Sequence, residues 1–151
     1  MSAWRAWHDI RLFEASDRDG CLAIFDENCP EFFAPNERRE YAAFLDQDPD
    51  GYWVCLLEEH IAGAFGLRNV DEHTAVLNWI LLARTSQGRG LGGGILKQAL
   101  QTTRSSGRSL LRISASQRSA PFFAKFGAIE LSRREHGWGP GMHRVELRIL
   151  V

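Results

Sequence analysis

Eight residues, Gln87-Gly88-Arg89-Gly90-Leu91-Gly92-Gly93-Gly94, contain five glycines. Such a run leaves backbone N–H groups with no side chains above them. At the positive end of a helix, those groups can bind a phosphate. Three phosphate templates compete for the loop. The P-loop ends in Gly-Lys-Ser/Thr, and no Lys follows any of these glycines. The dinucleotide fingerprint GxGxxG fits at Gly88, Gly90 and Gly93. It also needs an acid about 20 residues further on to hold a ribose hydroxyl. No Asp or Glu lies between Glu72 and Glu130, so that template falls. The third, Gln/Arg-x-x-Gly-x-Gly/Ala, is met by Gln87, Gly90 and Gly92.

The elements around the loop are those a phosphate site needs. An apolar run from Ala75 to Ala83, broken only by Asn78, precedes it. A helical pattern follows, with Leu91, Ile95, Leu96, Ala99, Leu100 and Thr103 on one face. The order is strand, glycine loop, helix. Gly92, Gly93 and Gly94 fall in the first turns of that helix, where each costs up to about 0.8–1 kcal/mol relative to Ala. A tight turn alone does not need glycine there, whereas close backbone approach to a ligand does.

At this point the chain resembles the GNAT superfamily of acetyl-CoA-dependent N-acyltransferases, in which this loop grips the pyrophosphate of coenzyme A. A second segment, Ser119-Ala120-Pro121-Phe122-Phe123-Ala124-Lys125-Phe126-Gly127, is similar to the later family helix Ala-x-x-Phe-Tyr-x-Lys-x-Gly. The resemblance covers residues 9 to 151. It implies acetyl-CoA as cosubstrate and a small-molecule amine or peptide as acceptor. It also implies that the backbone of Ile80, Leu81 and Leu82 runs beside the pantetheine arm, one N–H facing the thioester oxygen. Gln87, Gly88, Arg89, Gly90, Leu91, Gly92 and Gly93 are then the pyrophosphate loop. Gln117 stands where many relatives have a cofactor-contacting Asn, and Phe123 where many have a Tyr.

Acyl transfer to an amine needs a neutral amine, a stabilised oxyanion and a thiolate that can leave. Phe123 has no proton to give the thiolate. Water can supply it; or Tyr41, Tyr52, His136 or His143 can; or catalysis is lost and the chain only binds acyl-CoA, as a sensor would. The first is favoured. The base is not marked either. The apolar strand holds no carboxylate, so Asn78 inside it, Glu72 at its start through a water relay, and His136 are the catalytic candidates. A free Lys side chain is neutral in roughly one molecule in 2,500 at pH 7, and an α-amino group in roughly one in ten. The weaker base is the easier acceptor.

Charge is unevenly placed. Residues 1–72 carry 6 Lys/Arg against 16 Asp/Glu, residues 73–129 carry 8 against none, and residues 130–151 carry 4 against 3. A basic segment around a phosphate loop suits an anionic cofactor, and an acidic remainder suits a cationic partner such as an amine. Nucleic acid is disfavoured by the acidic part. Cys21, Cys29 and Cys55 have neither disulfide-framework nor zinc spacing, so no metal is expected. No apolar run is long enough to cross a membrane, and the first residues lack a signal-peptide core, so the cytoplasm is the default compartment.

The remaining elements follow from periodicity. Strands are expected at Ile10 to Glu14, Tyr52 to Glu58, Ile61 to Asn69, Thr74 to Ala83, Leu110 to Ser114, Ala128 to Glu135 and His143 to Val151. Helices are expected from about Ser16 to Asn28, from Pro35 past Leu45, from the loop to Ser105, and from a Ser119 cap to Gly127. The stretch His136 to Met142 reads as a glycine-rich connection outside the core. At 151 residues this is one domain (1–151) of α+β class, mixed α/β, with a twisted, mostly antiparallel sheet of about seven strands and helices on both faces. That is also the GNAT order. An exposed last strand offers an edge for pairing in a homodimer.

Overall fold

The structure is a computed structural model that describes residues 9–88 and 90–151. Its elements are β1 (Asp9–Leu12), α1 (Arg18–Glu27), α2 (Glu37–Asp46), β2 (Tyr52–Leu57), β3 (His60–Asn69), β4 (Thr74–Leu82), α3 (Leu91–Ser105), β5 (Leu110–Ala115), α4 (Ala120–Ala124), β6 (Ile129–Gly139) and β7 (Met142–Leu150). One seven-stranded sheet runs in the order β1-β2-β3-β4-β5-β7-β6. Every pair is antiparallel except β4 with β5. That parallel pair requires a crossover, and the glycine loop with α3 supplies it.

Each face of the sheet has its own core. On one, Ile95, Leu96 and Ala99 of α3 and Phe123 of α4 pack on Leu77, Leu111, Ile113, Val145 and Leu147. On the other, Leu22, Ile24 and Phe25 of α1 and Tyr41 and Leu45 of α2 pack on Tyr52, Val54, Ala64 and Leu81. Helices α1 and α2 cover the β1–β4 half of that second face. Beyond β4 no helix among the described residues covers it, and the cavity opens there.

Several boundaries differ from the sequence reading. The β2–β3 turn lies at Glu58-Glu59, both with positive φ (51° and 68°), and His60 already belongs to β3. That left-handed pair matches the twist of a two-residue hairpin. Strand β6 is longer than expected. Its pairing resumes at Gly139↔Met142, so His136 to Gly139 is one arm of a hairpin that turns at Pro140-Gly141. The helix at Ser119 is short, and the Ser119 hydroxyl does not cap it. Ser119 Oγ accepts from the Ser116 N–H (3.1 Å), while Ser116 Oγ accepts from the N–H groups of Arg118 and Ser119.

Candidate acetyl-transfer site

Strand β4 leaves its neighbour on the parallel side. The β4–β5 pairing runs from Thr74↔Leu110 to Leu77↔Ile113 and stops, while β4 continues to Leu82. From Asn78 onward the β4 edge facing β5 has no strand partner among the described residues. On the other side, Gly66↔Asn78 and Ala64↔Leu81 enclose one residue on β3 but two on β4, a bulge at Trp79-Ile80. Trp79 takes φ 44°, a left-handed conformation that strains a bulky residue by about 1–2 kcal/mol. Burial offsets the strain. The indole packs tilted against Tyr41 (centroids 4.8 Å apart) and Phe44 and stacks at longer range on Phe33. Tyr52 Oη donates to the Trp79 carbonyl (2.9 Å) and accepts from Tyr41 Oη (2.6 Å). Burial pushes both phenols well above their ordinary pKa, so each remains a donor.

The split opens into a cavity of about 900 Å³, reached by the glycine loop at one end and the bare sheet face at the other. Gly88 (φ 75°) and Gly90 (φ 80°) are left-handed, and Gly90 is the N-cap of α3. Gly94 N–H donates to Gly90 O (3.1 Å), and the amides ahead of it in the first turn have no intrahelical acceptor by geometry. Gly92 and Gly93 have a second reason to be glycine. An added Cβ would come within 3.2 Å of ring atoms of Phe122 and Phe126, so both let α4 cross close over α3.

The structure brings together Asn78, Ile80, Leu81, Leu82, Gln87, Gly88, Gly90, Gly92, Gly93 and Phe123, which all line the cavity. Leu91 does not line the cavity, because its side chain is buried in the core. Arg89 lies outside the described residues. Gln87 faces inward, its Nε2 donating to Asn28 Oδ1 (2.7 Å) and Leu82 O (3.1 Å); it anchors the loop to α1. Asn78 is half-buried, lies against Gly66, and its amide has no hydrogen bond among the described residues.

Three further expected residues are not brought to the cavity. Glu72 is exposed on the β3–β4 loop, at the far end of β4, and Thr74 to Asn78 alone spans about 13 Å of strand, too far for a one-water relay. His136 serves the hairpin: its Nδ1 accepts from the Gly141 N–H (2.7 Å), and its own N–H donates to His143 Nδ1 (3.0 Å). Gln117 is held at both ends of its amide, donating to Gly141 O and accepting from the His143 N–H, each at 2.8 Å. It clamps β5 to the hairpin. Tyr41, Tyr52 and His143 do not line the cavity either.

Glu37 was not expected at the site. It is buried at the start of α2 and lines the cavity, yet among the described residues only one oxygen has a partner, Oε2 accepting from the Ala34 N–H (2.7 Å). Burial pushes its carboxyl up to about 7, more than the Ala34 hydrogen bond pulls it down, and Glu40 adds to the rise. Cys29 is also close enough to feel its charge, and Arg144 and Glu146 line the same cavity from β7. In sequence Glu37 is one acid among sixteen in its segment, so nothing marks it out. Elsewhere in this segment exposed acids pair with arginines, Asp46 with Arg18, Asp26 with Arg38 and Glu31 with Arg84, and the buried Asp17 pairs with Arg11. Part of the acidity of this segment is thus paired away from the cavity.

The sequence model of the acetyltransferase (GNAT) family matches residues 21–128. The chain belongs to that family. An N-acetyltransferase is accordingly the enzyme class that its sequence and fold support. Among solved structures, Ard1 from Thermoplasma volcanium is 13% identical, over 94% of this chain and 96% of that one, with a TM-score of 0.76. The ribosomal-protein-S18-alanine N-acetyltransferase from Escherichia coli is 16% identical over 94% and 92%, TM-score 0.75. An aminoglycoside 6'-N-acetyltransferase complexed with coenzyme A is 9% identical over 93% and 96%, TM-score 0.69. At these identities the likeness is one of fold. A search of curated proteins gives no match. No helix among the described residues is long and apolar enough to cross a membrane, and no cluster of three potential metal ligands occurs among them.

Proposed function

We propose that the chain transfers an acetyl group from acetyl-CoA to a primary amine of a small molecule or peptide by direct attack. The supporting observation is the unpaired β4 edge past Leu77, opening into the same cavity as the first turn of α3. The residues fit the cosubstrate. Free strand amides suit an amide-bearing arm, helix amides suit a pyrophosphate, and Arg118 and Lys125 add positive charge to the lining. Bound acetyl-CoA supplies an activated acyl group and a tolerable leaving thiolate. The protein holds the reactants in line, and an N–H of the bulged strand stabilises the oxyanion. Glu37 takes the amine's proton, directly or through one water, since a base works best with a pKa near the operating pH. Phe123 gives no proton, so water protonates the thiolate.

The test is thermal unfolding with acetyl-CoA, CoA, NAD and ATP, followed by thiol release with a panel of amines. A ligand at about 100 times its Kd adds roughly 2.7 kcal/mol. For a domain of this size that raises the midpoint by several degrees, at about 2–4 °C per kcal/mol. A shift with both CoA species and none with NAD or ATP, together with amine-dependent thiol release, is the expected result. Binding without release would make the chain an acyl-CoA sensor. No shift with either CoA species would overturn the cofactor assignment itself.

A further inference from the structure

The bare half of the sheet, beside the split, carries a row of arginines. Arg68 on β3 pairs in register with Val76 on β4, Val76 with Arg112 on β5, and Arg112 with Arg148 on β7. Register partners point to the same side, so these four side chains rise from one face. Arg68, Val76 and Arg112 line the cavity, one step along β4 and β5 from Asn78 and Ser114 at the point where the strands part. Neighbouring strands lie about 4.8 Å apart, so Arg68 and Arg112 flank Val76 with roughly 10 Å between their Cα atoms. That span suits two guanidinium groups closing on one small anion.

The charges on this face are poorly balanced. Arg112 stands opposite Arg148, and Arg144 stands opposite Arg134. Like charges directly opposite destabilise an antiparallel pair. Glu146 is the one acid on this face among the described residues, and it is already engaged. Its Oε1 accepts from Arg144 Nε (2.6 Å), and Ser114 Oγ lies 2.9 Å from both of its oxygens. Arg112 Nη2 reaches Glu146 only at 3.9 Å. Arg68 has no ion pair or side-chain hydrogen bond among the described residues. A face built with unpaired positive charge beside the reaction point is a place for an anion. The α1–α2 loop and the β6–β7 hairpin meet across the cavity, where Asn36 Nδ2 donates to the Trp138 carbonyl (2.7 Å). That bridge favours a small molecule over a duplex or a folded partner.

We propose that Arg68 and Arg112 form an anion-recognition subsite for the acceptor, so that the acceptor is a small amine carrying a carboxylate or a phosphate. The assignment rests on the acetyl-transfer reading above and narrows its acceptor. It differs from what the charge asymmetry of the sequence suggests. The acceptor presents its amine at the split and its negative end over Val76.

The experiment uses matched amines with acetyl-CoA: γ-aminobutyrate against butylamine, and O-phosphoethanolamine against ethanolamine. The acid member of at least one pair is expected to have a kcat/KM about tenfold higher, as two half-exposed charge contacts allow. The pair with the larger ratio distinguishes carboxylate from phosphate. The preference should shrink with added salt and collapse in Arg68→Gln/Arg112→Gln, chiefly through KM. Arg104→Gln, on the exposed face of α3, controls for net charge and should keep it. A readout free of turnover is thermal stabilisation by inorganic phosphate or citrate with CoA saturating, so that the glycine loop is already filled. It should be present in the wild type and lost in the double variant. Equal rates within both pairs, or a preference untouched by the double variant, would overturn the subsite. Failure of CoA binding or of thiol release with every amine would instead overturn the acetyl-transfer reading; the anion titration, then run without CoA and read as the difference between wild type and the double variant, still decides the subsite.

Discussion

The two ends of the cavity are built from different materials. At the cofactor end, the binding groups are backbone amides: the first turn of α3 and the unpaired edge of β4. At the acceptor end they are side chains from four separate elements: Glu37 of α2, Arg68 of β3, Arg112 of β5 and Glu146 of β7. Backbone groups can be presented by a short local motif, which any sequence with the right glycines reproduces. Side-chain groups need the whole sheet to assemble before they meet. One end is thus generic to a fold, and the other is specific to this chain.

Gly90→Glu breaks the backbone end and should have the largest effect. It forces a side chain into a left-handed N-cap, strained by about 1–2 kcal/mol, and sets a carboxylate where phosphates belong. Stabilisation by CoA should vanish in the thermal scan, along with all turnover. If CoA still protects this variant, the loop is not the pyrophosphate site.

Glu37→Gln breaks the side-chain end while keeping the Ala34 contact. Loss of a general base predicts a fall of about 10²-fold or more in kcat/KM, with the ascending limb near pH 7 removed. CoA binding should be unchanged. Stability offers a second readout. A folded-state pKa near 7, above the unfolded value, means the native state binds the extra proton. Wild-type stability therefore falls as pH rises from about 4.5 to 7, by on the order of 3 kcal/mol. In the Gln variant that part of the fall should be missing from denaturation midpoints taken across the range. An unchanged pH–rate limb would remove Glu37 from the chemistry.

Tyr52→Phe tests the join between the two ends. It leaves the Trp79 carbonyl without its donor, a loss of about 1–3 kcal/mol, readable by denaturant titration. The bulge relaxes, so kcat should drop more than the KM for acetyl-CoA rises. A loss of stability with kcat intact would make the tyrosine pair purely structural.

Gly139→Val should have the smallest effect. A Cβ at Gly139 would fall 2.1 Å from Asn36 Oδ1 and 2.7 Å from Ala34 Cβ, so a side chain there pushes the hairpin off the α1–α2 loop. The KM for the acceptor should rise several-fold, about 1 kcal/mol for one lost bridge, with the CoA Kd unmoved. Equal damage to both constants would show that the hairpin supports the whole cavity and not its acceptor end.

How far each end is legible in the sequence follows the same division. The loop, helix α3 and the central strand are visible because apolar periodicity and glycine spacing are local properties. Glu72 and His136 were reasonable candidates by proximity in the chain, yet Glu72 lies at the wrong end of β4 and His136 braces a turn. Gln117 matches a motif position, but both ends of its amide are taken by the hairpin. The bulge at Trp79 leaves no signature, because it depends on the packing of Tyr41, Phe33 and Phe44 around an indole.

By itself, the sequence determined where the strands and helices lie and which backbone would hold a phosphate. Both are set by dihedral preference and by the period of apolar residues, within a few turns of chain. Only the tertiary structure decided which acid becomes a buried carboxyl and which arginines share a face. Burial and register are relations between residues tens of positions apart: Arg68 and Arg112 flank Val76 only once three strands have aligned.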